Sequence, residues 1–458
     1  MSYMFEGTLT ERDAKHHIGH SFIVPDDATE LKVRFDYLPE LTKSGLNALH
    51  LTLFDSQGFR GAGHRRGDAH ESVVSHSIML SEAGATPGYL VGALPAGEWT
   101  IVIDAHMILP EAPVTYRIAI DISSDPVSIE AADAHVEAPP VPFGGPSWYR
   151  GDLHGHTVHS DAEWEIADLI AYAGEHRLDF VTLTDHNTIS GLVEFDRLAR
   201  TDLLTMGGLE LTTFAGHALA LGVRKWIDWR IQPNVRTMPQ IAAEVDVAGG
   251  LFVIAHAMSV GDPICTGCDW RHSDMLPGPA RCIEVWNGHE WDSESNNEDA
   301  LALWYVWLNH GYRMVATAGT DIHGPLPHGT RPAFNVAYAP SLSESAILGA
   351  IAKGHLYLSN GPRLEFTGRS ESGEVAIMGD CLPAGNATIN AFWDGNASDD
   401  QVRLIGDGKL LFEQPAGEPG KQQWRLPAGQ ARWSVLELRD MTGRLRAVTN
   451  PIFIGTSE

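Results

Sequence analysis

Between residues 149 and 362, short apolar runs alternate with helix-like stretches, and most of the runs end in a residue able to bind metal. "FVTLTDH" ends in Asp185 and His186, "LFVIAHA" carries His256, and "RMVATAGTDIH" ends in Asp321 and His323. "YRGDLHGHT" holds His154 and His156 at spacing two, so both project to the same face of a strand. "MGGLELTT" brings Glu210, and His217 follows in "GHALALG". The intervening "EIADLIAYAGEHR" and "TMPQIAAEVDVAGG" have the spacing of amphipathic helices. Continuous apolar strands between such helices predict an α/β region built on a parallel sheet, open or closed into a barrel. Such folds build their sites at the carboxyl ends of the strands.

The flanks read differently. Residues 1–124 alternate in the manner of an antiparallel β-sandwich, as in "ELKVRFDYL", "ALHLTLFD" and "VTYRIAIDI". Residues 125–148 lose that periodicity and gain proline, which marks a linker. After residue 362 β-type alternation returns in "ATINAFWD" and "RWSVLELRD", predicting a second small sandwich over 363–458. Trp99, Trp393 and Trp433 in these flanks suit either carbohydrate binding or a sandwich core.

Acidic residues outnumber basic ones by 59 to 32, a formal net charge of -27 without a long basic run. That disfavours a polynucleotide partner, whose affinity rests on phosphate neutralisation by Lys and Arg. A small anion remains compatible, because bound metal can override the field of the chain. No apolar stretch is long enough to span a membrane, and "MSYMFEGTLTERDAKHHIGH" lacks the features of a signal peptide. The chain reads as cytoplasmic, with its oligomeric state open. Four cysteines are too few for a disulfide scaffold.

Each ligand-like piece is weak by itself. A lone His-x-His in a strand is more often structural, "TDHN" suits a capped turn, and Asp321 with His323 suits an ion pair. Their recurrence at strand ends points to one site built from His154, His156, Asp185, His186, Glu210, His217, His256, Asp321 and His323. Imidazole and carboxylate without thiolate suit Zn, Mn or Fe in a catalytic site.

The ordered blocks "HGHTVHSDA", "TDHN", "GLE", "IAHA" and "GTDIH" resemble the signature of the PHP (polymerase and histidinol phosphatase) metal-dependent hydrolases. "GHALALGVRKWIDWR", "IEVWNG" and "SNGPRLEF" resemble the carbaryl-hydrolase-like branch of that family, in which β domains flank the PHP domain. The resemblance implies a distorted (β/α)7 barrel with two or three divalent metal ions. It assigns His154, His156, Glu210 and Asp321 to a first metal, and has Glu210 bridge to a second completed by His217 and His256. Asp161, His186 and His323 would hold a third. Some relatives carry His in place of Asp161, and "IAHA" stands where "AHP" is common.

The family's commonest chemistry implies a phosphoesterase that attacks a small phosphate mono- or diester with a metal-bridging hydroxide. An alternative keeps the metals and cleaves a carbamate, carboxylic ester or amide. A third reading, a non-catalytic metal-binding module, would require missing ligands, and none is missing. Arg331 in "HGTRPAF" and Arg363 in "NGPRLEF" are candidates to meet developing charge, with a surface salt bridge the plainer role for each. Asp185 is placed to orient a ligand. His159, His289 and His328 are either proton donors or rim residues, and Trp226 and Trp229 either pocket walls or packing. Cys265, Cys268, His272 and Cys282 offer a possible structural zinc set, although ordinary reduced thiols explain them adequately and a lid or pocket-wall loop is the better reading of the segment.

Overall fold

The computed structural model describes residues 1–64, 68–70, 73–127, 144–232, 235–293, 295–417 and 419–455. Most of the expected linker, 128–143, therefore lies outside the described residues. The chain is mixed α/β and rich in sheet, with five α-helices among the described residues. None of these helices is long and apolar enough to cross a membrane.

Two antiparallel sheets form the N-terminal part. One has five strands, in the order Ser2–Leu9, Val114–Ser123, Glu30–Leu38, Val73–Ser81 and Asp68–His70. The other has four, in the order His16–Val24, Gly97–Met107, Ala48–Asp55 and Gly58–Gly63. Alternation explains the pairing: Leu31, Val33, Phe35 and Tyr37 point inward along one strand while their neighbours face out. They meet Leu49, Leu51, Leu53, Trp99, Ile101 and Ile103 in a common core. Each such fully buried side chain contributes about 1.5–3 kcal/mol over an exposed one.

In the middle part the strands fall into two arcs. Ser147–Asp152, Phe180–Thr182 and Leu204–Met206 pair in parallel. Leu251–Ile254, Cys282–Asn287 and Val315–Gly319 form a second parallel set, edged by the antiparallel hairpin Gly208–Thr213 and Gly216–Leu221. Single parallel bridges link the arcs, Gly155 to Ile322 and His186 to Glu210. These bridges lie at the residues that carry the candidate ligands.

The helices cover these arcs for local reasons. In Ile166–Glu175 the buried Ile166, Leu169, Ile170 and Ala173 recur at helical spacing and give one apolar stripe. Met238–Val247 starts at Thr237, whose backbone N–H donates to Gln240 Oε1 at 2.8 Å, with Pro239 in its first turn.

One sheet runs across residue 362. Leu356–Ser359 pairs antiparallel with Leu445–Thr449, joining the C-terminal strands Gln401–Gly406, Lys409–Pro415 and Trp433–Arg439 to the central sheet. A separate four-stranded sheet of Val375–Ile377, Arg363–Ser370, Ala387–Asp394 and Gly420–Leu426 packs near it. Trp99, Trp393 and Trp433 are all buried core residues, so none presents a ring for carbohydrate.

Candidate metal centre

Glu210 is the hub of the site. It stands on Gly208–Thr213, a strand buried along its whole length, and its carboxylate faces five imidazoles. Its Oε2 lies 3.2 Å from His154 Nε2, 3.3 Å from His156 Nε2 and 2.9 Å from His186 Nδ1. Its Oε1 lies 3.0 Å from His217 Nδ1 and 3.1 Å from His256 Nε2. Asp321 closes one side, with Oδ1 2.9 Å from His156 Nε2 and 3.4 Å from His154 Nε2. Asp161 closes another, with Oδ1 3.1 Å from His323 Nε2 and 3.5 Å from His186 Nε2.

All nine ligands that the family resemblance implies are thus brought together. Their donor atoms form overlapping groups within 4.8 Å: His154, His156, Glu210 and Asp321; His156, Asp161, His186 and His323; and His186, Glu210 and His217. The first group holds the four residues that the family resemblance assigns to a first metal.

Whether these residues suit a cation can be tested on the donors themselves. His154 Nε2, both nitrogens of His156, Asp161 Oδ1, Glu210 Oε2, His217 Nε2 and Asp321 Oδ1 are buried without a hydrogen-bond partner. Buried polar atoms left this way are costly, and native structures seldom tolerate several in one place. Convergent lone pairs of nitrogen and carboxylate oxygen are what Zn, Mn or Fe requires. The residues fit the group.

The carboxylates are held as anions, as metal binding asks. Burial disfavours charge on Glu210, but His186, His154 and His217 outweigh it and hold the carboxyl well below its usual range. Asp321 is held down in the same way against its burial, chiefly by His154 and His156. Burial, with His323 and His186 close by, pushes His156 down to about 3. The neighbouring carboxylates instead raise His154, His186, His256 and His323 against their burial, so a cation binding there would displace protons from those rings.

Backbone conformation is also unusual here. His256 and Asp321 have φ of +27° and +51°, in the left-handed region that non-glycine residues avoid. Such conformations persist where the surroundings over-determine them, typically at functional sites.

Behind the ligands stands a layer of fixed partners. Glu284 Oε1 lies 2.9 Å from His154 Nδ1, and Glu284 Oε2 accepts the His256 backbone N–H at 3.1 Å. Gly319 makes room for this pair, since a Cβ there would collide with Glu284 Oε1 and the His154 Cβ. Asp152 accepts from the Thr320 hydroxyl and from the backbone N–H of His154 at 3.3 Å. Sequence reading missed both acids. The available signal for Glu284 was a lone carboxylate inside the fully buried run "CIEVWN".

The other candidates are scattered. Asp185 accepts from the Thr157 N–H at 2.8 Å, the Thr157 hydroxyl at 2.7 Å and the Ser160 hydroxyl at 2.7 Å. It therefore braces the loop between His156 and Asp161 and spends its carboxylate on that loop. Arg363 lies on the C-terminal sheet, exposed, paired with Glu365 and 5.9 Å from the Phe392 ring. Arg331 is exposed on the loop after His323. His159 Nδ1 meets Ser190 Oγ at 2.7 Å, His289 is half-buried, and His328 is exposed. Trp226 stacks on Phe59 of the N-terminal sandwich at 4.2 Å, and Trp229 is buried against His17 and His106. Cys265 and Cys268 are joined to each other, His272 Nε2 meets Thr213 Oγ1 at 2.9 Å, and Cys282 is buried in its strand. These four do not gather as a zinc set.

The N-terminal sandwich reaches the centre. Its His64 ring lies 4.4 Å from the ring of His186. Its Gly88 is held by Thr188 and Ser190, through bonds of 2.7 and 3.0 Å. The outer face of the sandwich is therefore a wall of the centre.

Comparison with known proteins sets the site in context. No family model matches the chain. A Methanocaldococcus jannaschii protein of uncharacterized function is 29% identical over 161 residues, which is 32% of this chain and 87% of that protein. An error-prone DNA polymerase of Symbiobacterium thermophilum is 40% identical over 72 residues, 15% of this chain and 7% of the polymerase. Among solved structures, a two-domain Bacteroides vulgatus protein containing a predicted PHP-like metal-dependent phosphoesterase is similar at TM-score 0.39 and 15% identity. It is covered completely by 70% of this chain. An amidohydrolase from Chromobacterium violaceum is similar at TM-score 0.28 and 17% identity, over 40% of this chain and 93% of that one. The ordered sequence blocks resemble those of the PHP metal-dependent hydrolases.

Proposed function

We propose that this chain is a metal-dependent phosphoesterase that hydrolyses a small phosphate mono- or diester. The observation that carries the reading is the convergence of five imidazoles on the two oxygens of Glu210. In this reading the two arcs of strands are a distorted (β/α)7 barrel of PHP type, flanked by β domains over 1–124 and 363–458. His154, His156, Asp321 and Glu210 would hold one divalent cation. His217 and His256 would share Glu210 with a second, and Asp161, His186 and His323 would hold a third. Cations there supply Lewis acidity and lower the pKa of water, which hydrolysis near neutral pH requires.

The chain's own residues do the rest. Glu284 accepts the His154 Nδ1–H and so fixes the tautomer that leaves the Nε2 lone pair facing Glu210 and Asp321. Asp185 holds the 157–160 loop so that Asp161 returns to the cluster. His154, His156 and Glu210 are fully buried, which excludes bulk water and strengthens every charge interaction between them. The net charge of -27 favours a small-molecule substrate over a nucleic-acid polymer, and the reading places the protein in the cytoplasm.

One observation favours the second reading, a carbamate, carboxylic ester or amide hydrolase. The cavity beside Asp161, of about 160 Å³, is lined among the described residues by no Lys or Arg. A neutral substrate demands less positive charge than a phosphate does. The test is a hydrolysis panel on protein loaded with Mn, Zn or Fe, using aryl phosphate mono- and diesters beside aryl carbamates and carboxylic esters. The proposal expects phosphoester turnover that disappears in His156→Ala. Turnover confined to the carbamates or esters moves the protein to the second reading.

A further inference from the structure

We infer that the N-terminal sandwich carries a metal site of its own, in which His50, His64 and His106 hold one additional divalent transition cation of the zinc class at the wall of the barrel centre. The inference does not depend on which bond the barrel cleaves.

The three histidines come from neighbouring strands of the four-stranded sheet. His50 lies on Ala48–Asp55, where its neighbours Leu49 and Leu51 point into the sandwich core, so His50 points outward toward the barrel. His106 lies on Gly97–Met107 at a β-bulge: Ala48 pairs with Met107 and Leu49 with Ala105, leaving His106 without an opposite residue. Bulges commonly re-aim one side chain in this way. His64 directly follows Gly58–Gly63, the next strand of the sheet.

Their rings are close. Centroids are 3.9 Å apart for His50 and His64, 4.8 Å for His50 and His106, and 5.4 Å for His64 and His106. One donor atom from each lies within 4.8 Å of the other two. Zinc with ligands at its usual distance asks for nitrogens about 3.4 Å apart, which small ring rotations supply.

Two further observations point to a ligand. His106 is fully buried, and neither of its ring nitrogens has a hydrogen-bond partner; His50 Nδ1 is likewise buried and unpartnered. The aromatic rings of Phe214 and Trp229, 4.8 and 5.6 Å from His106, offer it apolar surface and no acceptor. His50 and His64 also line the cavity of about 160 Å³ that Asp161 borders, so a cation on this triad keeps an open side toward the barrel centre. Three neutral imidazoles with one open position are a known way to hold zinc, and nitrogen-only donors select Zn, Cu or Ni over Mg or Ca. None of the three ligands is anionic, so the cation would add net positive charge to a cavity that has no Lys or Arg among its described lining residues.

The test is metal stoichiometry on the full chain, stripped with chelator and equilibrated by dialysis against zinc. Metal and protein are quantified in the same sample, with folding checked by circular dichroism. The expected result is one zinc equivalent fewer in His106→Asn, His50→Asn and His64→Gln than in the wild type. His156→Asn should lose metal independently, and its combination with His50→Asn should lose the sum. Should His106→Asn fail to fold, His50→Asn, half-buried at the cavity, carries the same comparison. Equal zinc content in the wild type and His50→Asn overturns the inference. Loss in His64→Gln alone also overturns it, because His64 then belongs to the cluster around His186. Enzymatic turnover plays no part in the readout, so failure of this site and failure of the phosphoesterase reading are distinguishable.

Discussion

Glu284 stands directly behind His154, with its Oε1 2.9 Å from the His154 Nδ1. A carboxylate in that place raises the basicity of the imidazole and fixes its orientation, and such partners typically govern metal affinity 10- to 100-fold. Glu284→Gln should therefore weaken metal binding by about that factor while the fold persists. Chelator competition measures it, and an unchanged affinity would show that Glu284 has no role in orienting the ligand.

Asp185 should matter to stability more than to the chemistry. Replacing it by Ala leaves the Thr157 N–H and the hydroxyls of Thr157 and Ser160 without their acceptor in a buried place. Unmet buried donors cost about 1–3 kcal/mol each, with part of the loss relieved by local adjustment. Asp185→Ala should lose about 3 kcal/mol in denaturant unfolding. A change under about 0.5 kcal/mol would contradict this bracing role.

The N-terminal sheets are fastened to the middle part of the chain by the Phe59–Trp226 stack, 4.2 Å between centroids and 6° between planes. Aromatic pairs contribute about 0.5–1.5 kcal/mol beyond the area they bury. A double-mutant cycle with Phe59→Ala and Trp226→Ala should return a coupling in that range. Strict additivity would mean that the stack does not hold the two parts together.

Cys282 should be chemically silent. It is fully buried in its strand, and burial pushes its thiol up to about 12. At pH 8 it is protonated as well as inaccessible, so iodoacetamide should leave it unmodified in the native protein and label it after denaturation. Native labelling mapped to Cys282 by mass spectrometry would contradict the packing described here.

Much of the centre was legible because its ligands sit at the ends of apolar runs, where a one-dimensional pattern and a three-dimensional edge coincide. His154, His156, His186, Glu210, His217, His256, Asp321 and His323 could each be picked out by that position, and Asp161 by its closeness to His156. What escaped depends on contacts between distant segments. Glu284 meets His154 across 130 residues, and the apolar run around it marks the acid as unusual without saying which residue it meets. His50, His64 and His106 lie in the N-terminal region, whose sequence pattern speaks only for a sandwich. Their burial follows from the docking of one part of the chain on another, which periodicity does not encode. Arg363 shows the opposite error: closeness in sequence to a motif suggested the site, whereas strand direction carries it to the C-terminal sheet. Gly208–Thr213 and Gly216–Leu221 turn back as an antiparallel hairpin within a region whose pattern predicts strands alternating with helices.

The most direct test of the central claim is turnover of an aryl phosphate by metal-loaded wild type and Glu210→Gln, with metal content determined on the same samples. Glu210 faces both sets of histidines, so the substitution replaces one of its carboxylate oxygens by an amide and leaves the shape. The account predicts phosphoester hydrolysis in the wild type and a loss on the order of 10²–10³ in the variant, accompanied by loss of bound metal. Equal turnover in the two proteins, or none on phosphoesters at any metal loading, would contradict it.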